Sequence, residues 1–217
     1  MSDVGTVYSL GTEALTLEEQ LSILVHLGVH CVLDVRNASE TKSQSRIEMK
    51  EFFYINQIHY RDYSGYLSMD TTERKFLTSQ GYMDFQKYTE SLNCKEAMTR
   101  IERGAAKGYA CCLLGYHADP AICHRSILAG HELLKRDIDV QHIIKAGTMS
   151  QSLLEHELVD QECPSLDQIA LFDVPQTPYE EKLTETIRRR NKLLGQTWLQ
   201  ERNQSYGKQT GQYRWGK

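Results

Sequence analysis

Cys111-Cys112-Leu113-Leu114-Gly115-Tyr116-His117-Ala118-Asp119-Pro120-Ala121-Ile122-Cys123-His124-Arg125 reads as a buried strand, a loop and a helix start. The first five residues are an apolar run of strand length, Asp119-Pro120 is a turn-forming pair, and Ile127, Leu128, Leu133 and Leu134 then recur on one side of a helix. A thiol, an imidazole and a guanidinium therefore meet where backbone N–H groups and the positive end of a helix dipole favour anions.

Working outward, Thr6–Leu10 is a first strand that leaves through Gly11-Thr12, and Thr16 with Glu19 forms a capping box ahead of Leu17, Leu21, Leu24 and Leu27. His30–Arg36 is a second apolar strand, with Asp34 and Arg36 at its end. A helix is predicted over 94–107, and Asp139–Ile144 is a further short strand before Gly147. The order β-α-β, insert, α-β-α-β predicts an α/β fold, a three-layer sandwich with a mostly parallel sheet. In such a sheet ligands bind outside the carboxyl ends of the strands, which gathers Gly11, Thr12, Asp34, Arg36, His117, Cys123, His124 and Arg125 along one edge.

The insert, residues 37–90, opens with a polar loop and is then rich in aromatic residues. Ten of the nineteen aromatics lie between Phe52 and Tyr88, either as packing or as a recognition wall, and Tyr60 joins the substrate-binding candidates. After Gly147 a short helix is expected over 152–159, and Cys163-Pro164, Pro175 and Pro178 mark a break and a linker. The chain thus divides into an α/β domain, 1–174, and a basic helical extension with a flexible tail, 175–217. Residues 180–217 carry nine Lys or Arg against four Glu, so this segment is +5 within a chain of net charge −4. Arg188-Arg189-Arg190 with Trp198, Tyr213 and Trp215 either track a nucleic-acid backbone or form a solvated face.

No basic flank precedes an apolar core at the N-terminus, and no run approaches the roughly 20 apolar residues that span a bilayer, so no membrane is expected and the location is read as cytoplasmic. The six cysteines lack scaffold spacing and are read as free thiols. His117, His124, His131 and His142 with Cys112 and Cys123 show neither Cys-x-x-Cys nor His-x-x-x-His spacing, and the chain lacks a Gly-rich phosphate loop, so neither metal nor cofactor is expected.

The site admits more than one reading. Cys123 is a nucleophile activated by a helix start and cationic neighbours, or a buried inert thiol. His124 is a general acid or base, or a cap; Arg125 clamps an anion or pairs with Asp34. Val7–Gly11, Leu33-Asp34-Val35-Arg36, Ser45-Arg46, Ile58-His59-Tyr60, Leu113-Leu114 with Asp119-Pro120 and Cys123-His124-Arg125, and Val140–Ile143 together resemble the domain-of-unknown-function 488 family, over about residues 5–172. That resemblance implies a Rossmann-like α/β domain and a polar set of Asp34, Arg36, Cys123, His124 and Arg125. It also marks departures: Gly115 and His117 stand where the family usually has Cys and Glu, and Thr12 where it has His.

The leading expectation is an enzyme of unassigned class, transferase or hydrolase. It binds an anionic substrate, nucleotide- or nucleic-acid-derived, through Arg36, Arg125, Gly11, Thr12, His117 and Tyr60, with Cys123, His124 and Asp34 catalytic. The alternatives are a thiol-dependent sulfur or phosphoryl transferase and a non-catalytic nucleic-acid-binding module; a homodimer is among the expected assemblies.

Overall fold

Val7–Gly11 (β1) is the strand about which the sheet is wound. The computed structural model describes residues 5–41, 44–71, 73–162 and 178–210, with side chains in the last stretch as far as 203. Thr16 and Glu19 cap each other's backbone to start α1 (Leu17–His26), which leads into β2 (Cys31–Asp34). A second reciprocal cap, Ser45 with Glu48, starts α2 (Arg46–Ile55) ahead of β3 (His59–Asp62). Then follow α3 (Ser64–Leu67), α4 (Phe85–Thr89), α5 (Leu92–Ala106), β4 (Cys111–Gly115), α6 (His131–Leu134), β5 (Gln141–Ile144), β6 (Gly147–Ser150), α7 (Gln151–Glu162) and α8 (Tyr179–Thr210).

The six described strands lie in the order β3-β2-β4-β1-β5-β6, all parallel except β6. From β1 the chain passes β4 to reach β2, and from β4 it passes β1 in the opposite direction to reach β5. The switch point is therefore the β1–β4 pair, where Gly11 lies opposite Gly115 and Asp34 of β2 opposite Leu114. β4 is buried along its whole length, as a central parallel strand must be. Alternate strand residues face two apolar clusters: Leu10, Val32, Cys112 and Leu114 pack on α1 and α2, while Val7, Leu33, Cys111 and Leu113 pack on the α5 side. Each buried Leu of this kind contributes about 1.5–3 kcal/mol.

Two strands differ from the sequence expectation. The stretch 37–90 is only in part an insert, because α2 leads into β3, which extends the sheet, and β6 adds an antiparallel edge hairpin. Seven of its ten aromatics, Tyr60 among them, are buried, with Phe53 stacked on Tyr60 at 6.4 Å and Phe76 edge-on to Tyr88 at 5.4 Å. The expected break at Cys163-Pro164 and Pro175 lies outside the described residues. The helix expected from Tyr179 continues to Thr210, past the point at which a frayed tail was expected; residues 211–217 lie outside those described. No helix among the described residues is long and apolar enough to cross a membrane.

Candidate active site

Asp34 ends β2 as the acceptor of a closed buried cluster. Arg36 donates to its Oδ1 from the backbone N–H and from Nε, both at 3.0 Å, and to Oδ2 from Nη2 at 2.7 Å. Tyr60 donates to Oδ2 at 2.5 Å, and Arg46 Nε stands 3.8 Å away. The remaining Arg36 terminal nitrogen donates to the Gln44 carbonyl. Burial alone would raise the Asp34 carboxyl, but the hydrogen bonds and charge of Arg36, with Tyr60, hold it below the usual carboxylate range. Burial and the neighbouring carboxylate push the Tyr60 hydroxyl up. Asp34 thus pairs with the arginine two residues on, not with Arg125.

Cys123, His124 and Arg125 are all buried, and the last two tie different strands together. His124 Nε2 donates to the Val35 carbonyl just beyond β2, at 2.7 Å. Arg125 donates to the carbonyls of His117 and Ala118 in the loop leaving β4, at 2.5 and 3.2 Å, and to Ser9 Oγ on β1 at 3.3 Å. This packing explains two glycines. A Cβ on Gly11 would collide with the His117 carbonyl, and one on Gly115 would stand 2.8 Å from Cys123 Sγ and 2.7 Å from Arg125 Cδ. Beyond them the chain enters a six-residue π-helical turn, Arg125–Gly130, a conformation rare enough in proteins to be associated with functional sites.

The consequence is electrostatic. Burial alone would raise the Cys123 thiol, yet the Arg125 charge and the hydrogen bond and charge of His124 bring it down to about 6. Burial would lower the His124 imidazole, but the sulfur, Glu40 and the Val35 carbonyl carry it up to about 9. Both shifts favour the ionised pair, a thiolate beside an imidazolium. The other four described cysteines, also free, go the other way, with Cys31 pushed up by burial to about 11 and Cys94 and Cys111 to about 12.

A cavity of about 190 Å³ opens beside His124, lined among others by Glu40, His117, Ile122, Leu194 and Trp198, and its walls are mainly apolar. Cys123 itself has no exposed surface and does not line it. Glu40 is held there by Asn37, whose backbone N–H donates at 2.7 Å and whose side chain donates at 3.1 Å. Burial raises its carboxyl, against the pull of His124. The far wall comes from α8, where Trp198 Nε1 donates to Asp70 Oδ1 at 3.1 Å.

Of the residues singled out in the sequence, His117 and His124 reach the cavity and Cys123 lies against His124. Asp34, Arg36 and Tyr60 form the separate cluster at the end of β2. Gly11 lies under the loop leaving β4, and Thr12 continues the ladder by donating to the Gly115 carbonyl at 2.9 Å. Asn37 and Glu40 are the residues that sequence reasoning missed, and Trp198, read there with the basic extension, instead lines the cavity. The described residues hold no cluster of three or more His, Cys, Asp or Glu fit for a metal ion.

Residues 16–131, more than half of the chain, match the family model described as domain of unknown function DUF488. The chain belongs to the DUF488 family. The DUF488 match spans Asp34, Arg36, Glu40 and Cys123-His124-Arg125, whereas Ser9, β5, α7 and the α8 wall of the cavity lie outside it. No curated protein and no solved structure matches the chain.

Proposed function

We propose that this DUF488 protein is a thiol-dependent transferase or hydrolase in which the Cys123 thiolate is the nucleophile and His124 the general acid. The observation that carries this reading is the buried Cys123–His124 pair, with Nε2 of the ring committed to the Val35 carbonyl so that Nδ1 is left for proton transfer. In the reaction, sulfur attacks an electrophilic centre, the leaving group takes the imidazolium proton, and water or a second acceptor then releases the product from sulfur. The small, mainly apolar cavity favours a compact substrate with little charge.

An anionic, nucleotide- or nucleic-acid-derived substrate draws less support, because Arg36 and Arg125 are buried and donate to Asp34 and to protein carbonyls. A non-catalytic nucleic-acid-binding role for the extension is weakened in the same way: Arg188 and Arg189 pair with Glu185, and Arg190 with Glu162. The strand order and the two apolar clusters support a Rossmann-like three-layer sandwich. A reducing cytoplasm, in which the thiols stay free, suits this chemistry.

The test is mass-resolved iodoacetamide modification of Cys123 in the full chain across pH. A rate half-maximal near about 6 supports the reading. A rate that follows an ordinary thiol, half-maximal near about 8.5, overturns it.

A further inference from the structure

Ser9 on β1 and His142 on β5 are opposite one another in the sheet register and both are fully buried. A hydroxyl and an imidazole inside a sheet need partners, and here the partners form a continuous chain. Arg125 Nε donates to Ser9 Oγ at 3.3 Å, and Ser9 Oγ lies 2.5 Å from His142 Nδ1. His142 Nε2 lies 2.7 Å from Gln151 Oε1, Gln151 Nε2 donates to Glu155 Oε1 at 2.8 Å, and His131 Nδ1 meets the same oxygen at 2.9 Å.

The direction of every bond follows from the two ends. Gln151 uses its NH2 on Glu155, so its carbonyl oxygen must accept from His142 Nε2–H. The neutral ring then has a bare Nδ1, which accepts the Ser9 proton and leaves a lone pair of Oγ for Arg125. The groups facing His142 agree with a neutral ring: burial, opposed by the Gln151 hydrogen bond and Asp139 but joined by the Arg125 charge, lowers it to about 4. Gly130 makes room, since a Cβ there would collide with Gln151 Oε1.

We infer that His142, acting through Ser9, is a positioning residue that fixes the Arg125 guanidinium beside the Cys123 sulfur. The loop carbonyls of His117 and Ala118 hold the far end of the guanidinium, but Nε, where its plane joins the side chain, is held by Ser9. The Arg125 side chain and Cys123 Sγ crowd the same face of Gly115, so a rotation about Nε changes the distance between charge and sulfur. Ser9, His142, Gln151 and Glu155 all lie outside the DUF488 match. This assignment rests on the thiolate reading of Cys123.

The experiment is the pH profile of Cys123 iodoacetamide modification in wild type, Ser9→Ala, His142→Phe and His142→Asn, with circular dichroism and thermal melting on each. Ser9→Ala and His142→Phe should move the half-maximal pH up by about one unit, a tenfold loss of thiolate below it. His142→Asn, whose carbonyl replaces the Nδ1 acceptor, should keep the wild-type profile. A folded Ser9→Ala protein with an unmoved profile overturns the inference, and so does His142→Asn shifting as far as His142→Phe; Ser9→Ala decides if His142→Phe does not fold. A wild-type profile of an ordinary thiol overturns the Cys123 reading and this inference with it. A wild-type value near about 6 with unmoved variants overturns this inference alone.

Discussion

His124 donates from Nε2 to the carbonyl oxygen of Val35 over 2.7 Å, so the residue proposed as the general acid also ties the loop after β4 to the end of β2. Structure and chemistry share one side chain and have to be separated by substitution. His124→Gln retains a donor for Val35 and removes the charge. The half-maximal pH of Cys123 modification should then rise by about one to two units with little change in melting temperature. His124→Ala should show the same rise and also lose about 1–3 kcal/mol, because the buried carbonyl is left unpaired. A half-maximal pH that stays put in His124→Gln would remove the imidazolium from the account. For turnover the signs are fixed by the same shifts: the lowered thiol stays ionised as pH falls to about 6 and the raised imidazole stays protonated as pH rises to about 9. Activity should climb through the first value and decline through the second.

Asp34→Asn tests the other cluster. It leaves Arg36 buried without its counter-charge, and a cost of about 3–5 kcal/mol in urea unfolding is expected. The sign of the pH dependence follows from the depressed carboxyl of Asp34. Its contribution is present above the unfolded carboxylate value of about 3.9 and is lost as pH falls through the lower folded value. The gap between wild type and Asp34→Asn should therefore be constant from neutral pH down to about 4 and close below it. Tyr60→Phe removes one hydrogen bond to a charged acceptor and should cost about 1.5–3 kcal/mol. Full stability of Asp34→Asn at neutral pH would contradict this assignment.

Much of this was legible in the sequence, for physical reasons that also explain what was not. β1, β2 and β4 are runs of small and apolar residues between helix caps, the signature of strands covered on both faces. β3 escaped notice because His59, Arg61 and Asp62 are exposed at the sheet edge and only Tyr60 of its four residues is buried. β6 escaped for the same reason, with two exposed and two half-buried residues. Cys123 and His124 could be placed at the strand edge from spacing alone. The partner of Asp34 could not, since Arg36 and Arg125 are equivalent in a sequence and differ only once the sheet sets β1 between β4 and β5. Glu40 sits in a polar loop that reads as solvated, and Trp198 becomes part of the cavity only when α8 packs back on the domain.

Gly115 is a substitution site where small size can be tested directly. Its Ala variant brings a methyl against Arg125 Cδ and Cys123 Sγ, both on side chains able to give way. Overpacking of this kind costs about 1–3 kcal/mol, and the displaced groups are those that set the thiol. Gly115→Ala should therefore combine a lower melting temperature with an upward move in the Cys123 modification profile. A loss of stability with an unchanged profile would mean that sulfur and guanidinium move together and keep their separation.

Trp198 connects α8 to the site by a short path. Its Nε1 donates to Asp70 Oδ1, and Asp70 Oδ2 accepts the Ala38 N–H at 2.6 Å, at the start of the turn that carries Glu40. The ring is buried, so Trp198→Ala removes both a cavity wall and this clamp, at a cost of about 3–5 kcal/mol. Because Cys123 has no exposed surface, reagent reaches it through opening of the surrounding structure. If even about 1.4 kcal/mol of that opening cost is removed, the plateau rate of Cys123 modification rises tenfold. The half-maximal pH should stay where it is, since Arg125 and His124 are untouched. Trp198→Phe keeps most of the wall, loses the bond to Asp70 and should fall between. A plateau rate unchanged in Trp198→Ala, alongside the expected loss of stability, would show that α8 does not control access to the thiol.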